Sequence, residues 1–137
     1  MPTYTCSCDC GAVTAEVEIE DATKAIVCHC DECKLRYGTF CPVFPVADAK
    51  YTITKGADKL KTWAYAGASG NPVPCTFCSE CGVNMYRKNV PMAGLTIVIA
   101  STLKEPWFKE EAVPALCVYE KNKFSWLGGV SAFQSLD

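Results

Sequence analysis

Apolar and polar residues alternate from Val13 to Ile19. Val13, Ala15, Val17 and Ile19 fall on one side, and Thr14, Glu16 and Glu18 on the other. A period of two is that of a strand buried on one face. Ala25 to Cys28 is a short apolar run of strand length. Thr39 to Val46 reads as extended, and its Pro42 and Pro45, which lack a backbone donor, assign it to a sheet edge. Tyr51 to Thr54 reads as a strand closed by the turn pair Lys55 and Gly56. Lys61 to Ala66 places Trp63 and Tyr65 on one face, and Leu95 to Ala100 reads as a buried strand. Ala115 to Tyr119 and Lys123 to Leu127 flank Glu120, Lys121 and Asn122, which predicts a hairpin. Helical periodicity is weak. Asp31 to Tyr37 suits one or two turns stopped by Gly38, and Pro106 to Glu111 suits one more. Ala66 to Pro74 has the composition of an exposed loop. The pattern predicts a mainly β chain with one or two short helices.

Length and charge narrow this picture. The 137 residues suit a single domain spanning 1–137, and half of them are hydrophobic, enough for a core. The 13 Lys and Arg nearly balance the 15 Asp and Glu, for a formal charge of -2. No block of basic residues calls for nucleic acid or an anionic membrane. The longest apolar stretch, Leu95 to Ala100, is far too short to span a bilayer. The first residues, MPTYTCSCDCG, contain neither a basic region nor an apolar run, so they do not read as a secretory signal. The expected compartment is the cytoplasm.

The chemistry lies in 11 cysteines. Their odd number and close spacing argue against a disulfide scaffold and for metal ligands in a reducing compartment. They form three groups: Cys6, Cys8 and Cys10 before Gly11; Cys28, Cys30 and Cys33; and Cys75, Cys78 and Cys81 before Gly82. Zinc takes four soft ligands in a tetrahedron, and a Cys-x-x-Cys turn followed by Gly supplies two of them from one knuckle. Cys78 and Cys81 fit that form. Cys8 and Cys10 give a matching half, because alternate residues of an extended segment share a face. These four are expected to close one site, with Cys6 and Cys75 as rivals that lack the following Gly. The middle trio has no fourth thiol nearby in sequence. Three protein ligands and one exchangeable position is the pattern of a catalytic zinc. A fourth ligand from Cys41, Cys75 or Cys117 would instead close it. His29, the only histidine, is expected to pack outside the ligand shell. Lys34, Arg36, Arg87 and Lys88 flank the groups and read as ordinary surface charges.

Taken together, Cys8-Asp-Cys10-Gly11-Ala12-Val13, Cys28-His29-Cys30-x-x-Cys33 and Phe77-Cys78-x-x-Cys81-Gly82 resemble the family of glutathione-dependent formaldehyde-activating enzymes and centromere protein V. Ile99 to Leu103 and Pro114 to Trp126 resemble that family's later segments. The resemblance implies a mainly β, Mss4-like (β-tent) zinc-binding fold. It implies two zinc ions per chain, a structural one on Cys8, Cys10, Cys78 and Cys81 and a catalytic, exchangeable one on Cys28, Cys30 and Cys33. It also implies a lyase-type activity that makes or breaks a carbon–sulfur bond in a thiol adduct of an aldehyde, with glutathione as the thiol. Cys6, Cys75 and Cys117 depart from the pattern and bear on the substrate.

Three thiolates donate much charge to zinc, which suits soft sulfur ligands better than water activation. That favours thiol-adduct chemistry on a small thiol or carbonyl substrate. The loop Ala66 to Pro74 is placed to close over the site, and Tyr37, Phe40 and Trp126 are candidates to line it. The alternative is a non-catalytic zinc-stabilised binding module, which a fourth protein ligand at the trio would support. A third reading gives the spare thiols a redox or metal-buffering role. Self-association into a homo-oligomer stays open.

Overall fold

The computed structural model describes residues 1–67, 69–89 and 92–132. Within them the chain is mainly β, as the alternation requires. A small antiparallel sheet has the order β1 (Thr3–Ser7), β2 (Thr14–Glu18), β5 (Tyr51–Lys55). A seven-stranded sheet has the order β10 (Pro114–Val118), β3 (Ala25–Cys28), β4 (Cys41–Ala47), β9 (Leu95–Ile99), β8 (Asn84–Arg87), β7 (Pro72–Cys78), β6 (Leu60–Ala66). Two short helices, α1 (Asp31–Tyr37) and α2 (Glu105–Phe108), complete the set of α elements among the described residues.

The two sheets pack through one core. Val13, Ala15, Val17 and Ile19 are all buried, as their period predicts, and they meet Phe44, Val46, Met85 and Val98 of the larger sheet. Each such buried Val or Met contributes about 1.5–3 kcal/mol. The central strands β4 and β9 are buried on both faces. Phe44, Val46 and Val98 belong to this core, whereas Cys41, Val43, Ile97 and Ile99 belong to a second cluster that holds Cys28 and Cys33. The larger sheet is therefore a wall, with Cys8 and Cys78 on one side and Cys28 and Cys33 on the other.

Three expectations are corrected here. Pro42 and Pro45 do not put their strand at an edge, since β4 lies between β3 and β9. Pro42 is registered only with Val27 of β3, and Pro45 only with Ile97 of β9. Each proline thus has a partner on one side only, which leaves the other side for its missing donor. The C-terminal hairpin does not form either. β10 pairs parallel to β3, and the segments after it are 3-10 turns at Glu120–Asn122 and Ser125–Ala132. The loop expected from Ala66 to Pro74 is also shorter, because β6 runs to Ala66 and β7 begins at Pro72.

One turn couples the small sheet to the first cysteine group. Gly56 has φ +79°, and a Cβ there would sit 1.9 Å from the Ala12 carbonyl oxygen. Beside it, Lys55 Nζ donates to the Gly11 carbonyl at 3.2 Å. Gly56→Ala is expected to cost at least about 2 kcal/mol in thermal or urea unfolding. Gly70→Ala, at φ +83° with nothing within 4 Å, should cost only about 1 kcal/mol. Equal costs would remove the role assigned to the close approach.

Candidate metal centres

Two turns of similar build bring the first centre together. Cys8 follows β1, and its N–H donates to the Val13 carbonyl at 3.1 Å. Cys78 ends β7, and its N–H donates to the Val83 carbonyl at 3.0 Å. Each turn needs a residue at positive φ to fold back, and Gly11 (φ 77°) and Gly82 (φ 81°) supply it. The sulfurs of Cys8, Cys10, Cys78 and Cys81 all lie within 4.8 Å of one another. Cys8 and Cys10 Sγ are 3.7 Å apart, and Cys10 and Cys78 Sγ 3.8 Å. A tetrahedron with Zn–S bonds of about 2.3 Å has sulfurs roughly 3.8 Å apart, so the donor set fits zinc. The backbone helps the thiolate form. Val13 N–H donates to Cys8 Sγ at 3.3 Å. Desolvation pushes the Cys81 thiol up, but the N–H groups of Cys10 and Val83 and the nearby Cys10 and Cys78 thiols outweigh it and bring it down to about 6.

The second centre is a strand-to-helix junction. Cys28 ends β3, Cys30 is the N-cap of α1, and Cys33 lies buried in its first turn. Cys33 N–H donates to Cys30 Sγ at 3.4 Å, so one thiol both caps the helix and faces the group. Gly38, at φ 87°, ends the helix where the sequence predicts, its N–H on the Lys34 carbonyl. The three sulfurs lie within 4.8 Å of one another, and no fourth residue joins their group among those described. Cys41 is registered opposite Cys28, but its thiol donates to the Pro42 carbonyl at 3.7 Å and it stays outside the group. Cys117 is exposed on β10, and Cys6 and Cys75 are buried in their strands. All eleven thiols are free.

Arg87 is the residue that sequence reasoning missed. It is not a surface charge. It is buried at 8% exposure, and its Nη1 donates to Cys33 Sγ at 3.1 Å. Burial alone would push its pKa down, but the negative charge and hydrogen-bond acceptance of the Cys33 sulfur outweigh that and raise it. Hydrogen bonding from Cys28 and Cys41, aided by the Arg87 charge, brings the Cys33 thiol down to about 7. The register of β8 on β9 sets Arg87 opposite Ile97, on the Cys33 side of the sheet, and Tyr86 opposite Val98 on the other, an arrangement that no local pattern marks. Arg87→Met is expected to weaken metal retention at the trio about 10–100-fold in a chelator competition, with the quartet unaffected. Unchanged affinity would reduce the guanidinium to packing.

A cavity of about 570 Å³ opens over Cys28, Cys30 and Arg87. Ala66 at the end of β6, Gly67 and Ser69 of the connection, and Val73 of β7 form part of its rim, where the closing loop was expected. Its aromatic lining is Tyr65 and Tyr119, not the three expected rings. Tyr37 packs against the Cys28–Cys33 cluster, Phe40 lines a separate apolar groove, and Trp126 stacks on Phe124. His29 is buried with its ring 5.6 Å from that of Phe40, outside both groups, and burial pushes its pKa down.

Fold and geometry define a small β protein organised around two cysteine clusters of metal-ligand form, one of four sulfurs and one of three. The chain's membership follows from a match over most of its length rather than from either cluster alone. It belongs to the glutathione-dependent formaldehyde-activating enzyme family, whose model matches residues 3–122. A crystal structure of a Rhodobacter sphaeroides protein, solved as a structural-genomics target, is similar in fold. It has a TM-score of 0.65 and 21% identity, over 83% of this chain and 99% of that one. No curated protein matches. Among the described residues, no helix is long and apolar enough to cross a membrane.

Proposed function

We propose that the protein is a zinc-dependent enzyme of carbon–sulfur lyase type. It would join or separate a small thiol, glutathione or a similar compound, and an aldehyde or other small carbonyl compound. One observation carries this reading: three clustered thiols, with no fourth in their group, at a cavity large enough for such a substrate. In this reading Cys8, Cys10, Cys78 and Cys81 hold a structural ion, and Cys28, Cys30 and Cys33 hold the catalytic one. Zinc on the trio would supply Lewis acidity to a sulfur or a carbonyl oxygen.

The chain's own groups do the rest. Confining thiol and carbonyl in one cavity turns a two-body encounter into a local one. Forming the carbon–sulfur bond leaves charge on the former carbonyl oxygen, which must gain a proton, and the reverse step returns it. Tyr65 is a suitable donor toward that oxygen, because burial pushes its phenol pKa up and keeps its proton in place near neutral pH. Arg87 donates to Cys33 Sγ and, after the Cys28 and Cys41 thiols, favours its deprotonated form.

The test is a panel of aldehydes with thiols, adduct formation and decay followed by NMR on zinc-loaded protein. Acceleration of at least one pair, lost on chelation, is expected. Silence across the panel with both sites loaded would overturn the proposal. The Cys41 thiol beside Cys33 favours a second reading, a closed trio in a non-catalytic binding module. Cys41→Ala separates the two, because only the second reading has it release metal.

A further inference from the structure

The turn after β10 is fastened to the trio's own elements at both ends. His29 N–H, between Cys28 and Cys30, donates to the Val118 carbonyl at 3.0 Å. Asn122 Nδ2 donates to Asp31 Oδ1 at 3.0 Å, and the Asn122 carbonyl accepts from Lys34 Nζ at 2.8 Å. Between these points stands Tyr119, held in the left-handed backbone form at φ 55° and ψ 36°. The Cβ of a tyrosine opposes that form, and glycine would turn the chain there at less cost. Lys104, Glu110 and Tyr119 are the non-glycine residues with positive φ among those described, and of the three only Tyr119 lines the trio's cavity. A bulky residue kept in a disfavoured backbone form beside a site points to a use for its side chain. The ring is also not packed away. Tyr119 is 50% exposed, and Met92, another lining residue, 37%. Tyr65, Ala66 and Val73 add to this apolar lining. Apolar surface left open in a cavity is surface that a ligand covers. Formaldehyde, whose carbonyl carries only hydrogens, has no body to lie against it.

Resting on the reading of the trio as an open metal site where thiol and carbonyl meet, we propose that Tyr119 sets the specificity for the carbonyl component. The cavity then takes aldehydes with an apolar, above all aromatic, body in preference to formaldehyde. In that reaction the thiol sulfur adds to the carbonyl carbon, the C=O electron pair moves to oxygen, and the proton lost by the thiol is balanced by the one that oxygen gains. The hemithioacetal carries the aldehyde's body on the carbon beside the sulfur. A ring at that place has an aromatic face and a thioether to pack on.

Thioethers that cannot react test this by binding alone. S-benzylglutathione and S-methylglutathione differ only in a ring on the carbon beside sulfur, and so do 2-(benzylthio)ethanol and 2-(methylthio)ethanol. In NMR titrations of zinc-loaded protein, the benzyl member of at least one pair is expected to bind on the order of tenfold tighter than its methyl partner. Tyr119→Phe should keep that preference. Tyr119→Gly should lose most of it while the chain stays folded, because glycine adopts this φ freely. Equal binding or no binding within both pairs, or a preference that survives Tyr119→Gly, would overturn the proposal and leave the lyase reading standing. A preference found together with a silent aldehyde panel would overturn the lyase reading, and with it the assignment of the ring to a carbonyl compound.

Discussion

Cys78→Ser is expected to leave the chain unfolded at room temperature rather than weakened by degrees. Cys78 closes β7 in the large sheet, while Cys8 and Cys10 follow β1 of the small one, so an ion on their sulfurs ties the two sheets together. Binding of a structural zinc supplies about 10–16 kcal/mol of apparent free energy, as much as the whole stability of a typical domain. Circular dichroism and dye binding should show a collapsed or open chain for the variant, and for the unaltered protein after strong chelation. The same link predicts acid sensitivity. Cys81 has an ordinary thiol pKa of 9.0 when unfolded and about 6 in the fold. A depressed acid stabilises the fold fully above its unfolded pKa, and the benefit fades as pH falls through the folded one. The contribution of Cys81 is therefore expected to decline as pH falls from about 9 and to be gone below about 6, with metal release as protons compete for the thiolates. A cooperative melt within about 2 kcal/mol of the parent would show that these sulfurs do not carry the fold.

Cys30→Ser should have the opposite profile: an intact fold and a silent site. Cys30 caps α1 by accepting from the Cys33 N–H, and serine is a better N-cap than most residues, so the helix keeps its start. In the proposed function, what disappears is one of the three sulfurs that would hold the catalytic ion. Losing Lewis acidity worth several kcal/mol corresponds to at least about a thousandfold in rate. Metal analysis should fall from two ions per chain to one, with the melting temperature moved by no more than about 4 °C. A variant that kept both ions and full activity would put the chemistry elsewhere.

The legible parts of this molecule were those in which local pattern and tertiary need coincide. The alternation of Val13 to Ile19 described β2 because one face of that strand is core and the other is open. Asp31 to Tyr37 read as a helix because Gly38 ends it in a backbone form other residues avoid. The cysteine groupings came through because a Cys-x-x-Cys-Gly knuckle and a Cys-x-Cys-Gly extension each make their half of a cluster locally. What failed depended on distant neighbours. Pro42 and Pro45 were placed at an edge because the sequence does not reveal that each has a registered partner on one side only. Pro114 to Val118 pairs in parallel with a strand from the first quarter of the chain, which no local period encodes. Arg87 was discounted because a single charge usually belongs to solvent, and only the thiols opposite make its burial sensible. Tyr65 and Tyr119 lacked any local mark that would separate them from Tyr37.

The parallel pairing of β10 with β3 also orders events in time. Val118 lies beside Cys28, and the turn after it delivers Tyr119 and Asn122 to the cavity. A ribosome releases Cys28, Cys30 and Cys33 long before it makes that turn. The growing chain must therefore carry three adjacent sulfurs with one wall of their chamber missing. During that interval they are open to oxidants and to competing metals, and a cell that supplies zinc early protects them.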